Sequence, residues 1–164
     1  MLIRDAIPSD LPAIVRLERL TEFYTFIGMW TEEMHARQLA SEENAYLVVE
    51  DDTGEVAAFA ILLGIHSPDH SVELKRIVVA TPGQGLGQTL LRHVAERVFK
   101  SYKAHRLYLD VFETNPRAKH IYEKFGFKVD GVLREAAYRD GEYFSLTLMS
   151  LLDREYRALH GPDA

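Results

Sequence analysis

Residues Glu73 to Gln88, ELKRIVVATPGQGLGQ, decide the fold of this chain, because a β-branched apolar run breaks there into a glycine-rich turn. The following segment, Thr89 to Ser101, carries apolar residues at helical spacing and is predicted to form an amphipathic helix. Closely spaced glycines let backbone N–H groups approach an anion without a Cβ atom in the way, and the start of a helix favours negative charge. Strand, loop and helix therefore predict a phosphate site, unless the glycines serve packing alone.

Composition narrows the class of protein. The chain has 164 residues and 47% hydrophobic content, which fits one globular domain. It has no cysteine, which rules out disulfides and a thiol nucleophile, and its seven histidines lack metal-binding spacing, so no metal is expected. A net charge of −6 argues against binding to nucleic acid or to an anionic membrane. Charges at Arg4, Asp5 and Asp10 and the lack of a long apolar segment predict an unexported, cytoplasmic protein.

The order of predicted elements defines the fold class. A strand is followed by two helices, three strands, a helix, a strand, a helix and two final strands, Phe127 to Tyr138 and Tyr143 to Leu152. We therefore predict an α/β protein whose single domain has a mixed, largely antiparallel sheet of about seven strands, flanked by about four helices. The domain is expected to span residues 1–156, and residues 157–164 are expected to form a frayed tail.

A dinucleotide-binding fold is the first alternative for the glycine loop. Gly83, Gly85 and the later acidic residue Asp110 imitate its fingerprint. Gln88, however, stands where the third glycine is required, and the loop follows several strands instead of opening a βαβ unit. A Walker loop is excluded because no Gly-Lys-Ser/Thr closes the turn.

A second segment narrows the choice of ligand. Asn115-Pro116-Arg117-Ala118 is followed by Ile121 to Phe127, IYEKFGF. In combination with the glycine loop, this segment resembles the GNAT superfamily of acetyl-CoA-dependent N-acetyltransferases. Gly85 and Gly87 match two small positions of the family's loop pattern, whereas Pro82 replaces its arginine or glutamine. The close of the chain, GVLREAAYRDGEYFSLTLMS, is most similar to the ribosomal-protein N-terminal (Rim-type) acetyltransferase branch.

The resemblance implies acetyl-CoA as co-substrate and assigns residues to it. Backbone groups of Ile77, Val78 and Val79 are expected to pair with the pantetheine arm, as an extra strand would. Asn115 is expected to reach the amides of the cofactor, although capping the next helix explains this residue equally well. Gln84 or Gln88 is expected to replace the missing side chain at Pro82. The pyrophosphate is expected on the loop amides of Gly83, Gln84, Gly85, Leu86, Gly87 and Gln88.

The same resemblance assigns the chemistry. Glu73 takes the position of a carboxylate base, the alternative being an ordinary residue at a strand edge. Tyr122 is the candidate acid for the departing sulfur, the alternative being simple packing. A strand N–H near Val78 or Val79 would stabilise the oxyanion. Without cysteine no acetyl-cysteine can form, so the amine is expected to attack the thioester directly in a ternary complex.

The acceptor stays open at this stage. Tyr24, Phe26 and Trp30 belong to an aromatic cluster that is expected to enclose a cationic or apolar acceptor or to be part of the core. A protein N-terminus, a polyamine, an aminoglycoside-like drug or an amino acid would each supply a primary amine. The final strands offer an edge for a homodimer. A non-catalytic acyl-CoA sensor of the same fold and a nicotinamide oxidoreductase are the alternative functions.

Overall fold

A computed structural model describes residues 1–20 and 28–161 and contains a single sheet. Within these residues the sheet has seven strands in the order β1-β2-β3-β4-β5-β7-β6. Every neighbouring pair is antiparallel except β4 and β5, which run parallel. The predicted mixed, largely antiparallel sheet is confirmed. The strands are β1 (Leu2–Asp5), β2 (Asn44–Glu50), β3 (Val56–Leu63), β4 (Ser71–Val79), β5 (Arg106–Phe112), β6 (Lys128–Arg139) and β7 (Glu142–Leu152).

Five α-helices accompany the sheet in the described part of the chain, one more than the sequence predicted. A short 3₁₀ turn leads into the first helix, and the third helix ends in one π-helical turn. The helices are α1 (Leu11–Glu18), α2 (Glu32–Leu39), α3 (Leu86–Glu96), α4 (Pro116–Phe125) and α5 (Asp153–His160).

Helix α5 corrects the prediction of a frayed tail after residue 156. Tyr156 is 2% exposed, and its ring stacks on Phe99 with centroids 4.8 Å apart. Glu155 accepts a hydrogen bond from the backbone N–H of Leu152 over 3.1 Å, which closes the start of the helix. One buried aromatic ring and this cap therefore hold the chain in a helix as far as His160.

The core lies on both faces of the sheet. The larger cluster packs α3 and the π turn against the sheet, and all six apolar residues of the predicted amphipathic stripe are buried there: Leu90, Leu91, Val94, Ala95, Val98 and Phe99. The smaller cluster packs α1 on the opposite face, with Ile14 and Phe59 both fully buried. The sheet is thus a shared wall between two layers of helices.

Strands β4 and β5 separate part of the way along their length. Their only paired positions among the described residues are Ser71 with Arg106, Val72 with Leu107 and Glu73 with Tyr108. Beyond this point β4 stays paired with β3, and β5 stays paired with β7. A gap therefore opens in the middle of the sheet, and the backbone edges on either side of it have no neighbouring strand.

Candidate active site

A cleft of about 1120 Å³ occupies this gap, and we call it the central cleft. Its strand walls come from both diverging strands, its entrance from the loop before α3 and from α4, and its other end from β6 and the segment before α2. The residues that line the cleft include Gly28, Trp30, Lys75, Arg76, Ile77, Val79, Pro82, Gly83, Gly85, Gly87, Gln88, Asp110, Phe112, Asn115, Arg117, Tyr122, Leu133, Tyr138, Arg139 and Leu146.

The β4 wall presents alternate backbone groups to the cleft. The N–H of Ala80 donates to the carbonyl of Ala57 over 2.8 Å, so this facing pair is hydrogen-bonded. Facing pairs alternate in an antiparallel ladder, so Val78 also bonds to β3, whereas the N–H and C=O of Ile77 and Val79 point away from it. Val78 is 1% exposed and belongs to the core beside α1. The structure thus places Ile77 and Val79 on the cleft and Val78 away from it.

The glycine loop supplies free N–H groups at the entrance. Gly83 and Gly85 have φ values of 92° and 80°, a left-handed conformation that favours glycine. Helix α3 begins directly after Gly85, and its first backbone bond runs from Thr89 N–H to the Gly85 carbonyl over 3.1 Å. The amides of residues 86–88 therefore have no acceptor within the helix, an arrangement that favours an anion at this end of α3.

The side chains of the loop divide between cleft and solvent. Gly87 and Gln88 line the cleft together with Pro82, whereas the side chains of Gln84 and Leu86 do not. A Cβ atom at Gly87 would lie 3.6 Å from Val79 Cγ1, an ordinary contact, so the glycine leaves room beside the strand instead of relieving a clash.

Two residues of α4 extend the cleft wall. Asn115 lines the cleft, and its side-chain oxygen accepts a hydrogen bond from the Ala118 N–H over 3.2 Å, so it caps the helix as the sequence allowed. Arg117, for which the sequence predicts no role, also lines the cleft. Its position in the first turn of α4 places a cation on the cleft that the glycine loop also lines.

Tyr122 lies on the cleft and packs against the main core, with its ring 5.7 Å from that of Phe127. Burial of the hydroxyl, followed by the negative charge of Asp110, raises the pKa of Tyr122 to about 12. The hydroxyl is therefore protonated throughout the neutral range and is available as a hydrogen-bond donor.

A carboxylate that the sequence pattern connects only with an incomplete dinucleotide motif lies on the cleft. Asp110 is exposed, lines the cleft and acts on Tyr122. Glu73 is not among the cleft-lining residues, and its carboxylate lies 3.2 Å from Lys75 Nζ. Burial is the largest cause of the raised pKa of Tyr108, and the charges of Glu73 and Asp110 raise it further. The two carboxylates therefore lie on the same face of the sheet as Tyr108.

At the other end of the cleft, a buried polar network holds Trp30. The backbone N–H of Trp30 donates to Glu18 Oε2 over 3.0 Å, and the Arg76 guanidinium lies 4.1 Å from the Trp30 ring centroid. Glu18, on α1, forms an ion pair with Arg76 and lies 3.1 Å from His35 Nε2. Tyr24 and Phe26, predicted with Trp30 to surround the acceptor, lie outside the described residues.

The network is shielded from solvent. Glu18 and His35 are fully buried, Tyr46 is 2% exposed and Arg76 is 4% exposed. The Tyr46 hydroxyl lies 3.1 Å from His35 Nδ1, and burial raises the pKa of Tyr46. Burial likewise lowers the pKa of Arg76. Nothing in the sequence marked these residues, because helix and strand positions far apart in the chain meet only in the folded protein.

Residues 1–20 and 28–161 contain no group of three His, Asp or Glu side chains placed to hold a metal ion. None of the helices there combines the length and the apolar character needed to span a membrane.

Comparison with known proteins identifies the family. The sequence signature of the Acetyltransferase (GNAT) family matches residues 12–127, and the chain belongs to this family. A spermidine N(1)-acetyltransferase of Vibrio cholerae is 29% identical over 76% of this chain and 73% of its own length. A putative [ribosomal protein bS18]-alanine N-acetyltransferase of Bacillus subtilis is 31% identical over 78% of this chain and 87% of its own.

A solved structure supports the same family assignment. The spermidine N-acetyltransferase from Vibrio cholerae in complex with CoA and spermine superimposes with a TM-score of 0.84 at 26% sequence identity, over 94% of this chain and 96% of that one. The chain is an N-acetyltransferase that uses acetyl-CoA, and the predicted GNAT fold is confirmed.

Proposed function

We propose that acetyl-CoA lies in the central cleft and that a primary amine attacks its thioester directly, in a ternary complex. The separation of β4 from β5 beyond Glu73 and Tyr108 carries this proposal. It frees the N–H and C=O groups of Ile77 and Val79, which match the amides of a pantetheine arm lying along β4 like an added strand.

The entrance of the cleft is suited to the pyrophosphate. Three N–H groups at the start of α3 and the left-handed glycines before it form the cradle. Gln88 is the better replacement for the family's side chain at Pro82, because Gln88 lines the cleft and Gln84 does not. Arg117 adds a positive charge on the neighbouring helix, and Asn115 offers its amide to the cofactor while it caps α4.

The carbonyl of the thioester gains negative charge during attack and needs a donor. The N–H of Ile77 or Val79 takes this role in our proposal, since both groups face the cleft. The Val78 N–H, the other expected donor, is directed towards β3.

The amine arrives as an ammonium ion with an ordinary pKa near ~10.4 and must lose a proton before it attacks. A carboxylate on the face of the sheet that Glu73 and Asp110 share accepts this proton directly or through water. Glu73 remains a candidate from the family resemblance. Asp110 is favoured by position, because it lines the cleft and Glu73 is held by Lys75 beside it.

Tyr122 assists the departing sulfur by donating a hydrogen bond. A tyrosine with a pKa of about 12 is a weak acid towards a thiolate whose conjugate acid has a pKa near ~8.5, so complete proton transfer is uphill by roughly 3.5 pKa units. We therefore assign Tyr122 to stabilising the thiolate in the transition state. The chain has no cysteine, so the acetyl group cannot pass through an enzyme thioester.

Two relatives indicate which acceptors to test first. One acts on spermidine, and the other is named for the alanine of a ribosomal protein, in line with the Rim-type resemblance of residues 131–150. We propose a primary amine as the acceptor.

For a homodimer contact we propose the outer edge of β6, which is the last strand of the sheet formed by the described residues. Val129 and Val132 on that strand are 47% and 50% exposed. Light scattering measures the mass in solution, and a monomer would contradict the dimer.

The test is release of CoA thiol from acetyl-CoA with a panel of amines and peptides. Amine-dependent thiol release together with a rise in melting temperature on addition of acetyl-CoA supports the proposal. Binding of acetyl-CoA without thiol release from any acceptor, with Asp110→Asn binding acetyl-CoA as the wild type does, would favour the non-catalytic sensor. Stabilisation by NAD and none by acetyl-CoA would favour the oxidoreductase.

A further inference from the structure

Two arginine side chains meet at the end of the central cleft that is remote from the glycine loop. Arg76 projects from β4, and Arg139 stands at the end of β6. A Cβ atom built on Gly28 would lie 3.3 Å from Arg76 Nη2 and 3.4 Å from Arg139 Nη2. The two guanidinium groups therefore border the same small space, and all three residues line the cleft.

Only one of these two charges is balanced among the described residues. Arg76 has the Glu18 carboxylate, which is also shared with His35. Arg139 has no carboxylate within ion-pair distance in residues 1–20 and 28–161, and its Nη1 donates to its neighbour's backbone, the Tyr138 carbonyl, over 2.7 Å. Arg139 Nε is buried and has no hydrogen-bond partner there.

The surroundings make an unbalanced charge costly. Arg76 is covered by the Trp30 ring, and Arg139 lies over the Phe112 ring at 5.7 Å. Leu133 and Leu146 add further apolar wall. Burial is the largest cause of the lowered pKa of Arg76, and the positive charge of Arg139 lowers it further. The two cations therefore repel each other. Arg139 is half-buried, and a cation that has lost part of its water is stabilised when an anion hydrogen-bonds to it. The planar forks of arginine match carboxylate and phosphate.

We propose that this arginine recess, formed by Gly28, Trp30, Arg76, Phe112 and Arg139, binds an anionic group of the acceptor. The acceptor is then an amine that also carries a carboxylate or a phosphate, and the anion fixes the molecule while its amine reaches the thioester. The inference rests on the proposed acetyl transfer. It separates this chain from a polyamine enzyme, because a second ammonium group would face two guanidiniums.

The test compares amines that differ only in the anion. Lysine and cadaverine share a chain and an amine but differ in the carboxylate, and O-phosphoethanolamine and ethanolamine differ in the phosphate. We expect the anionic member of at least one pair to have a kcat/KM higher by about 10- to 100-fold, the range of one or two charge-assisted hydrogen bonds. The pair that shows the preference identifies carboxylate or phosphate as the group recognised.

Arg139→Gln is the diagnostic variant, since Arg76 is tied to the buried network. It should remove most of the preference through a higher KM for the anionic amine and leave the KM for acetyl-CoA unchanged. Arg134→Gln is the matched control on the same strand, because Arg134 is exposed and does not line the cleft. It should retain the wild-type preference.

The outcomes separate the two claims. Turnover of cadaverine, ethanolamine or spermidine equal to that of the anionic amines overturns the recess and leaves acetyl transfer standing. An unchanged preference in Arg139→Gln also overturns the recess. No thiol release from any amine, with no stabilisation by acetyl-CoA, overturns the proposed function and with it the inference.

Discussion

Glu73 and Tyr108 form the last facing pair between the parallel strands β4 and β5. One residue later the strands separate, and the backbone of Ile77 and Val79 is left open to the central cleft. The glycine loop lies at the end of the same strand, so the unpaired strand edge and the anion site are continuous. This continuity suits one long ligand with a phosphate end and an amide-bearing arm, as the proposed binding of acetyl-CoA requires.

The first prediction concerns the space beside Gly87. Gly87→Trp should abolish binding of acetyl-CoA, because its side chain would fill the cleft next to Val79. Gly87→Ala is the matched control, since its Cβ makes only an ordinary contact, and it should bind normally and gain up to about 1 kcal/mol of stability in the helix. Calorimetric titration with acetyl-CoA decides, and normal binding by the tryptophan variant contradicts the assignment.

The second prediction separates the two carboxylates. Asp110→Asn should lower kcat by about 10²- to 10⁴-fold, as expected for loss of a general base, with little change in the KM for acetyl-CoA. Glu73→Gln is the comparison, because it removes the other carboxylate on the same face, and it should lower kcat less. If Glu73→Gln is the more damaging change, the base is Glu73.

Tyr122 gives a prediction for pH dependence. Its pKa of about 12 keeps the hydroxyl protonated, so kcat/KM should rise with pH as the amine loses its proton and should show no fall from tyrosine ionisation up to about pH 10. Tyr122→Phe should bind acetyl-CoA normally and lower kcat about tenfold or more. A falling limb between pH 8 and 10 that disappears in Tyr122→Phe would refute the raised pKa.

Asn115 tests whether a helix cap also contacts the cofactor. Asn115→Ala should cost about 1 kcal/mol of stability, because the bond to the Ala118 N–H is lost. Asn115→Ser keeps a good cap without the amide, so it should retain stability and weaken acetyl-CoA binding about tenfold. Equal affinity of Asn115→Ser and the wild type in a binding titration would reduce the residue to a cap.

Asp10 makes stability depend on pH. Hydrogen bonds from Arg4, at 2.7 and 2.9 Å, and then from the Ile7 N–H hold the pKa of Asp10 below its usual range. Asp10→Asn should therefore cost about 2 kcal/mol at pH 6, and this difference should shrink as pH falls through ~4, where the unfolded chain takes up the proton. Urea unfolding at pH 6 and at about pH 3 measures this difference in the free energy of unfolding.

Asp69→Asn serves as the control for that experiment, since Asp69 is exposed and its carboxylate forms no ion pair among residues 1–20 and 28–161. Its free energy of unfolding should match the wild type at both pH values. A cost for Asp10→Asn that stays constant or grows towards pH 3 would contradict the ion pair with Arg4.

Most of the fold could be predicted from the sequence because local patterns agree with the final packing. The apolar stripe of residues 89–101, the Asn115 cap and the two glycines of the loop each reappear as predicted. These signals depend on neighbours within a few residues. Helix α5 was missed because its anchor, Tyr156, packs on Phe99 more than fifty positions earlier in the chain.

The candidate site was predicted only in part, for the same reason. Val78 differs from Ile77 and Val79 through the hydrogen-bond register with β3, which a sequence does not specify. The carboxylate of Glu18 meets Arg76 across the sheet, and Arg139 approaches from the last hairpin. Such clusters depend on tertiary contacts between residues that have no common motif.

Direct transfer in a ternary complex is the central claim, and initial-rate kinetics test it most directly. Thiol release is measured while acetyl-CoA and the best amine of the panel are varied together. The account predicts double-reciprocal lines that intersect, because both substrates must occupy the cleft before CoA leaves. Parallel lines, which indicate an acetylated enzyme intermediate, would contradict it.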